Sequence, residues 1–234
     1  MEKLRFVCAT RETKEGFFEN TLLGRTLKLF EFLPMVELEL SAQNTRGLPE
    51  IYNEAIEKSK NDPAILLFAH DDVQIPDIYF PNHVYMTMEH FDIAGIAGNV
   101  RRLPGQPSWC FAIFHGNSLI PDEKINLSGA VMHGNGFPDC VVNYFGPPGK
   151  TVKLLDGLLL ISRSETLHRH NLRFDSLFKF HFYDMDFCRQ AEIRSLRMGT
   201  CPVTVIHGSR GNYTSKNWKE AYSTYLKKYG EHIL

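Results

Sequence analysis

Ile65-Leu66-Leu67-Phe68-Ala69-His70-Asp71-Asp72-Val73 is the stretch on which the reading of this chain turns. Five apolar residues run without interruption into a histidine and two adjacent carboxylates. A short apolar run that stops abruptly at polar residues reads as a strand buried on both faces. The acidic pair then stands at the carboxyl end of that strand, where ligands bind in open α/β sheets. Two carboxylates there suit a hard divalent cation, Mg²⁺ or Mn²⁺, bridging to phosphate oxygens. The plainer alternative is an acidic turn, since Asp is common in turns.

Toward the N-terminus the pattern repeats. Leu4–Ala9 reads as a first strand and ends in Thr10-Arg11-Glu12. Residues 16–32 place Phe18, Leu22, Leu23, Leu27 and Phe30 near helical spacing, so one helix is expected before Pro34. Residues 35–40 alternate apolar and acidic side chains, a second and partly exposed strand that leads to Gln43-Asn44. Residues 48–60 carry Ile51, Tyr52, Ala55 and Ile56 on one face, with Pro49 in the first turn. Strand–helix–strand–helix–strand opens a parallel α/β sheet with right-handed crossovers. Its three polar strand ends share one edge, where a nucleotide would lie. Thr10, Arg11 and Asn44 would there contact the base or ribose; the alternative is that they only form turns. Neither a GxGxxG after the first strand nor a Walker P-loop is present, which argues against an NAD enzyme and a P-loop kinase.

Toward the C-terminus, residues 82–90 read as helical and Asp92-Ile93-Ala94-Gly95-Ile96-Ala97-Gly98-Asn99 as a Gly-rich strand open to close approach. Residues 101–150 are rich in Pro and Gly with short β-like pieces, a loop-rich insert on the sheet. Residues 152–163 form an apolar strand interrupted at Asp156-Gly157, marking a bulge or a ligand contact. In Phe182-Tyr183-Asp184-Met185-Asp186-Phe187-Cys188 a helix begins with two carboxylates in its first turn, which the dipole alone would favour. Residues 198–206 read as a last strand, at an edge because of Pro202, running into His207-Gly208-Ser209. Lys216–Tyr229 has helical spacing. Arg101 and Arg102 could bind phosphate or form a solvated loop pair, and His168-Arg169-His170 reads as surface.

The bulk numbers bound the class. The chain has 234 residues, 43% hydrophobic and 23% charged, with a net charge of −1. A core without disulfides is expected, and nothing points to nucleic acid or a membrane surface. Five cysteines, an odd number without a CxxC, suit a reducing cytoplasm. Neither a signal peptide nor a run of transmembrane length is read in the sequence.

Taken in order, Asn44, Arg46-Gly47, His70-Asp71-Asp72-Val73, Asp156-Gly157, Tyr183-Asp184-Met185-Asp186-Phe187-Cys188 and His207-Gly208-Ser209 resemble the GT-A glycosyltransferases. The branch they look most like is related to family 2 and includes the streptomycin-biosynthesis StrF type. That resemblance implies one domain over residues 1–234: an α/β, Rossmann-like mixed sheet flanked by helices. It implies transfer of a sugar from a nucleoside-diphosphate donor, UDP above all, to a hydroxyl of a glycan, lipid-linked or small-molecule acceptor, with inversion and a divalent cation. The family's Asp-x-Asp falls on His70-Asp71-Asp72, so this sequence departs at the first position. His70 then stands where a carboxylate often holds the nucleoside, Asp71 supports, and Asp72 is the implied metal ligand. His207 matches a metal-binding histidine of many relatives, and Asp156 falls at the donor side. Asp184 matches the second position of the family's Glu-Asp base motif, with Asp186 as the alternative base. Two other classes stay open: a nucleotide-sugar-binding protein without transfer, and a sugar-1-phosphate nucleotidyltransferase. The second would need a Gly-rich basic loop after the first strand, and residues 10–16 hold one glycine.

Overall fold

The computed structural model describes residues 1–209 and 211–232. In chain order the elements are β1 (Leu4–Ala9), α1 (Lys14–Asn20), α2 (Leu22–Leu29), β2 (Val36–Ser41), α3 (Leu48–Lys58), β3 (Ile65–Ala69), β4 (Val73–Gln74) and α4 (Phe80–His90). Then follow β5 (Ile93–Gly95), β6 (Ala97–Asn99), β7 (Phe111–His115), β8 (Ser118–Pro121), β9 (Leu127–Gly134) and β10 (Cys140–Gly146). The last are β11 (Thr151–Val152), β12 (Leu154–Leu155), β13 (Leu159–Arg163), α5 (Ser164–Arg169), α6 (Tyr183–Ile193), β14 (Met198–Thr200), β15 (Ile206–His207) and α7 (Lys216–Tyr229).

The strand that opened the reading lies within a seven-stranded sheet of order β11-β14-β5-β13-β3-β1-β2. All five residues of β3 are buried, as an apolar run between two helical layers requires. Burying each such Leu, Ile or Phe contributes about 1.5–3 kcal/mol, which drives this run to the sheet's interior. β1 pairs parallel with β2 and β3, so the first three strand ends do meet at one edge. β13 runs antiparallel between β3 and β5, which makes the sheet mixed. β2, with its alternating glutamates, is the half-buried edge strand.

Four stretches divide where the sequence reads as continuous. Residues 16–32 form two helices, because Thr21 serves both: its hydroxyl donates to the Phe17 carbonyl and accepts from the Gly24 amide. Gly24 permits the corner, since a Cβ there would lie 2.0 Å from the Phe17 carbonyl oxygen. Residues 92–99 leave the first sheet after Gly95, and β6 joins a second sheet of order β12-β6-β9-β15-β4. Residues 152–163 supply β11 and β13 to the first sheet and β12 to the second. The stretch 198–206 likewise contributes β14 to the first sheet and continues to β15 in the second. β14 is an inner strand between β11 and β5, so the edge expected from Pro202 is not found; Pro202 lies beyond the strand, where no ladder amide is needed.

The second sheet positions the site. β15 pairs antiparallel with β4, setting His207 opposite Val73, and the Gly208 amide donates to the Asp72 carbonyl oxygen at 2.8 Å. On its other side β15 pairs with β9, setting His207 opposite His133. Residues 101–150 contribute the separate β7–β8 hairpin and β9 itself, a central strand of this sheet to which β10 is also paired.

Candidate functional site

Two concavities meet at the end of β3. One, of about 840 Å³, runs between α6, the loop before β7, and the tyrosine and tryptophan ahead of and in α7. The other, of about 1230 Å³, follows the ends of β1 and β2 past Thr10, Arg11 and Asn44. Asp71, Asp72, Phe180 and Ser209 line both. A groove runs along the strand ends at which the sequence reading expects a nucleotide, and the acidic pair sits at its junction with a second, aromatic-walled cleft. Trp109, Phe145, Phe182, Tyr213 and Trp218 provide that wall.

In the groove, the Thr10 hydroxyl donates to Asp71 Oδ2 at 2.6 Å and accepts from the Glu12 amide. Thr10 is thereby buried and holds Asp71 in place, while Arg11 is exposed. Asn44 folds its side chain onto Arg46, accepting from the backbone amide and donating to the carbonyl, so it shapes the loop at the groove's rim.

At the junction, His70, Asp72 and His207 each bring one ligand atom within 4.8 Å of the others. Asp72 Oδ1 lies 3.3 Å from His207 Nε2. Burial works to raise the Asp72 carboxyl, but the bond and charge of His207 outweigh it and hold the pKa at about 2. Burial works to lower His207, and the hydrogen bond and charge of Asp72 reverse that, leaving it raised. For His70 burial wins over the nearby carboxylates and its pKa is lowered. Two imidazoles and one ionised carboxylate can hold a divalent cation; the nitrogen donors fit Mn²⁺ or a later transition ion, whereas Mg²⁺ prefers oxygen alone. Sequence reading placed His70 with the nucleoside, while the structure groups it with Asp72 and His207. No periodicity marks this grouping, since Asp71 and Asp72 form a turn between β3 and β4 and His207 arrives through the pairing of β15 with β4.

Asp184 lines the aromatic cleft. Phe182, immediately ahead of α6, adopts a left-handed backbone with φ 65°, held there by its ring packed on Trp218, Tyr222 and Tyr225. Such a backbone costs about 1–3 kcal/mol and persists only where packing fixes it. That turn presents Tyr183 and Asp184 to the Asp156-Gly157 turn. Asp184 Oδ2 accepts from the Gly157 amide at 3.1 Å and Oδ1 from its neighbour Met185 at 2.9 Å. Burial and then the charge of Asp156 push the Asp184 pKa up to about 7, against these two donors. A carboxylate poised there is suited to take a proton at neutral pH. Asp156 itself lines the cleft and caps its own turn, accepting from the Leu158 amide.

Asp186 has a different place. Fully buried, it accepts from Lys228 Nζ at 2.5 Å and from the Tyr229 hydroxyl at 2.6 Å, tying α6 to α7 away from the cleft. Its other oxygen is buried and has no partner among the described residues. Arg101 is paired to the buried carboxylate of Asp122, and Arg102 to Glu192 and Glu231, so neither of these structural ion pairs faces the groove. His168 bonds Ser59 and Arg173, a contact between α5 and its surroundings.

No family model and no curated protein matches the sequence. Among solved structures, the catalytic domain of Drosophila beta1,4-galactosyltransferase 7, solved with xylobiose, superposes with a TM-score of 0.52 at 12% identity, over 95% of this chain and 80% of that one. The chain has the GT-A fold. TarS 1-349 from S. aureus gives a TM-score of 0.48 at 15% identity, over 88% of this chain and 60% of that one. STIV A197 gives 0.47 at 11% identity, over 92% and 100%. A GT-A sheet accounts for the placement of β3: its carboxyl end, with Asp71 and Asp72, opens where the two concavities join. No helix among the described residues is long and apolar enough to cross a membrane.

Proposed function

We propose that the chain is a glycosyltransferase that moves a sugar from a nucleoside diphosphate, UDP first among them, to a hydroxyl acceptor with inversion. The observation that carries this is the junction: a strand-end groove of nucleotide size meets, at Asp71 and Asp72, a second cleft lined by a carboxylate raised to about 7. The groove takes the nucleoside, beside Thr10, Arg11 and Asn44. The aromatic cleft, shaped in large part by residues 101–150, takes the acceptor, and Phe180 stands between them.

Asp184 accepts the proton of the acceptor hydroxyl as its oxygen bonds the anomeric carbon. The bond from that carbon to the diphosphate breaks, and the electron pair leaves with the diphosphate. With Asp184 as the one assigned base and no nucleophile assigned among the described residues, the reading is single displacement, hence inversion, as the family resemblance implies. Asp72 and His207, joined by His70, would hold a divalent cation, Mn²⁺ by their donor chemistry. Bound there, the cation would supply Lewis-acid stabilisation of the departing diphosphate. Asp71, fixed by Thr10, orients the junction from the nucleotide side. The motif order favours the family-2-related branch, and five free cysteines suit a reducing cytoplasm.

The test is product analysis with Mn²⁺ and a panel of nucleotide sugars. Release of UDP with a glycosylated product is expected. Pyrophosphate release from UTP and a sugar 1-phosphate would instead mark a nucleotidyltransferase, and nucleotide-sugar binding with no turnover would mark a binding protein.

A further inference from the structure

The Tyr183 hydroxyl donates to the Gly157 carbonyl oxygen at 2.7 Å and lies 2.8 Å from His70 Nε2. A phenol has one hydrogen. With that hydrogen directed to Gly157, the oxygen offers His70 only a lone pair. His70 must then carry its proton on Nε2, which leaves Nδ1 as the ring nitrogen with a free lone pair. The same Gly157 donates its amide to Asp184 Oδ2 at 3.1 Å. One peptide turn thus holds both the phenol behind the histidine and the carboxylate of the cleft. The contact is close: a Cβ on Gly157 would lie 2.5 Å from the Tyr183 hydroxyl and 3.0 Å from Asp184 Cβ. Tyr183 is itself buried, packed against Tyr52 and Phe174, so its hydroxyl has a fixed position.

We propose that Tyr183 is the positioning residue of the cation site: anchored by Gly157, it fixes His70 as the Nε2–H tautomer so that Nδ1 is the ligand. This rests on the cation site proposed above. A histidine that ligates a metal through one nitrogen is held by a hydrogen bond from the other, and loss of such a partner typically lowers metal affinity 10- to 100-fold. Because Gly157 also holds Asp184, the turn links the geometry of the cation site to that of the base.

The experiment is Mn²⁺ titration of the full chain, followed by electron paramagnetic resonance, for wild type and Tyr183→Phe, with near-ultraviolet circular dichroism on the same samples. The expected result is saturable binding by wild type and a 10- to 100-fold weaker affinity in a folded Tyr183→Phe protein. A merely structural tyrosine would shift the melting temperature and leave the affinity of the folded protein within about threefold, and that result overturns the inference while leaving the cation site intact. Wild type that fails to bind Mn²⁺ overturns the cation-site reading and this inference with it. Should the variant not fold, ¹⁵N long-range correlation spectra of the wild-type histidines decide: an Nε2–H His70 supports the assignment, and an Nδ1–H His70 overturns it.

Discussion

Asp184 offers the sharpest test of the chemistry. Its pKa stands at about 7, with burial as the first cause and Asp156 as the second. If it is the base, kcat/KM for transfer rises about tenfold per pH unit up to about pH 7 and levels above it. At pH 8 about ten carboxyls in eleven are ionised; at pH 5, about one in a hundred. Removing a general base costs about 10²–10⁴-fold. Taking the middle of that range, Asp184→Asn should lose about 10³-fold at pH 8. At pH 5 the wild type has itself lost about 100-fold, so the same comparison shrinks to about tenfold. The assay is initial-rate UDP release with saturating donor, from pH 5 to 9, with circular dichroism to confirm that the variant is folded. A wild-type profile flat through pH 7, together with a variant within about threefold of wild type at pH 8, would refute the assignment.

Four further outcomes follow from other parts of the structure. Gly24→Ala drives a methyl into the Phe17 carbonyl at the α1–α2 corner, so denaturant unfolding should show a loss of about 2 kcal/mol or more; near-neutrality would mean the corner is looser than described. Arg101→Ala should lower the melting temperature, because it leaves the buried Asp122 carboxylate short of its main partner, yet leave UDP affinity unchanged; a loss of UDP affinity would restore Arg101 to the phosphate. The Asp72–His207 pair has a pH window with a definite sign. Asp72 is depressed from 3.8, so its contribution is present above that value and fades toward pH 2; His207 is raised from 6.5, so its contribution is complete below that value and fades as pH rises. Urea midpoints should therefore show Asp72→Ala more destabilised at pH 5 than at pH 9, by about 1 kcal/mol for a pair of which Asp72 is half-buried and partly screened, and the reverse order would contradict it. Replacing the β7–β8 hairpin should change acceptor choice and spare donor binding, measured by calorimetry; loss of donor binding would remove residues 101–150 from the acceptor side.

Much of this was legible because it is local. The β3 run, its acidic end, α3 and α7 announce themselves by periodicity, and the polar ends of β1 and β2 mark the groove. The divided strands were not legible. Within residues 92–99 nothing in the sequence marks Ile96 as the point at which the chain passes from one sheet to the other; within 152–163 the interruption at Asp156-Gly157 does fall at the passage from β12 to β13, but it reads equally as a bulge or a ligand contact. The helix of residues 16–32 split because Thr21 finds both a carbonyl and an amide to bond, a choice that periodicity does not register. At the site, helical periodicity alone does not separate Asp184 from Asp186; the family resemblance puts Asp184 first, with Asp186 as the alternative base. They separate through partners distant in sequence: Gly157 for the first, Lys228 and Tyr229 for the second. The grouping of His70 with His207 likewise depends on the pairing of β15 with β4.

The central claim is that the junction at Asp71 and Asp72 binds a nucleoside diphosphate with a divalent cation. Calorimetry of UDP binding, with and without Mn²⁺, on wild type and on Asp72→Ala tests it most directly. The account requires tight binding that depends on Mn²⁺ and disappears in Asp72→Ala. Wild type that fails to bind UDP in either condition, or binding untouched by both the metal and the substitution, would contradict it.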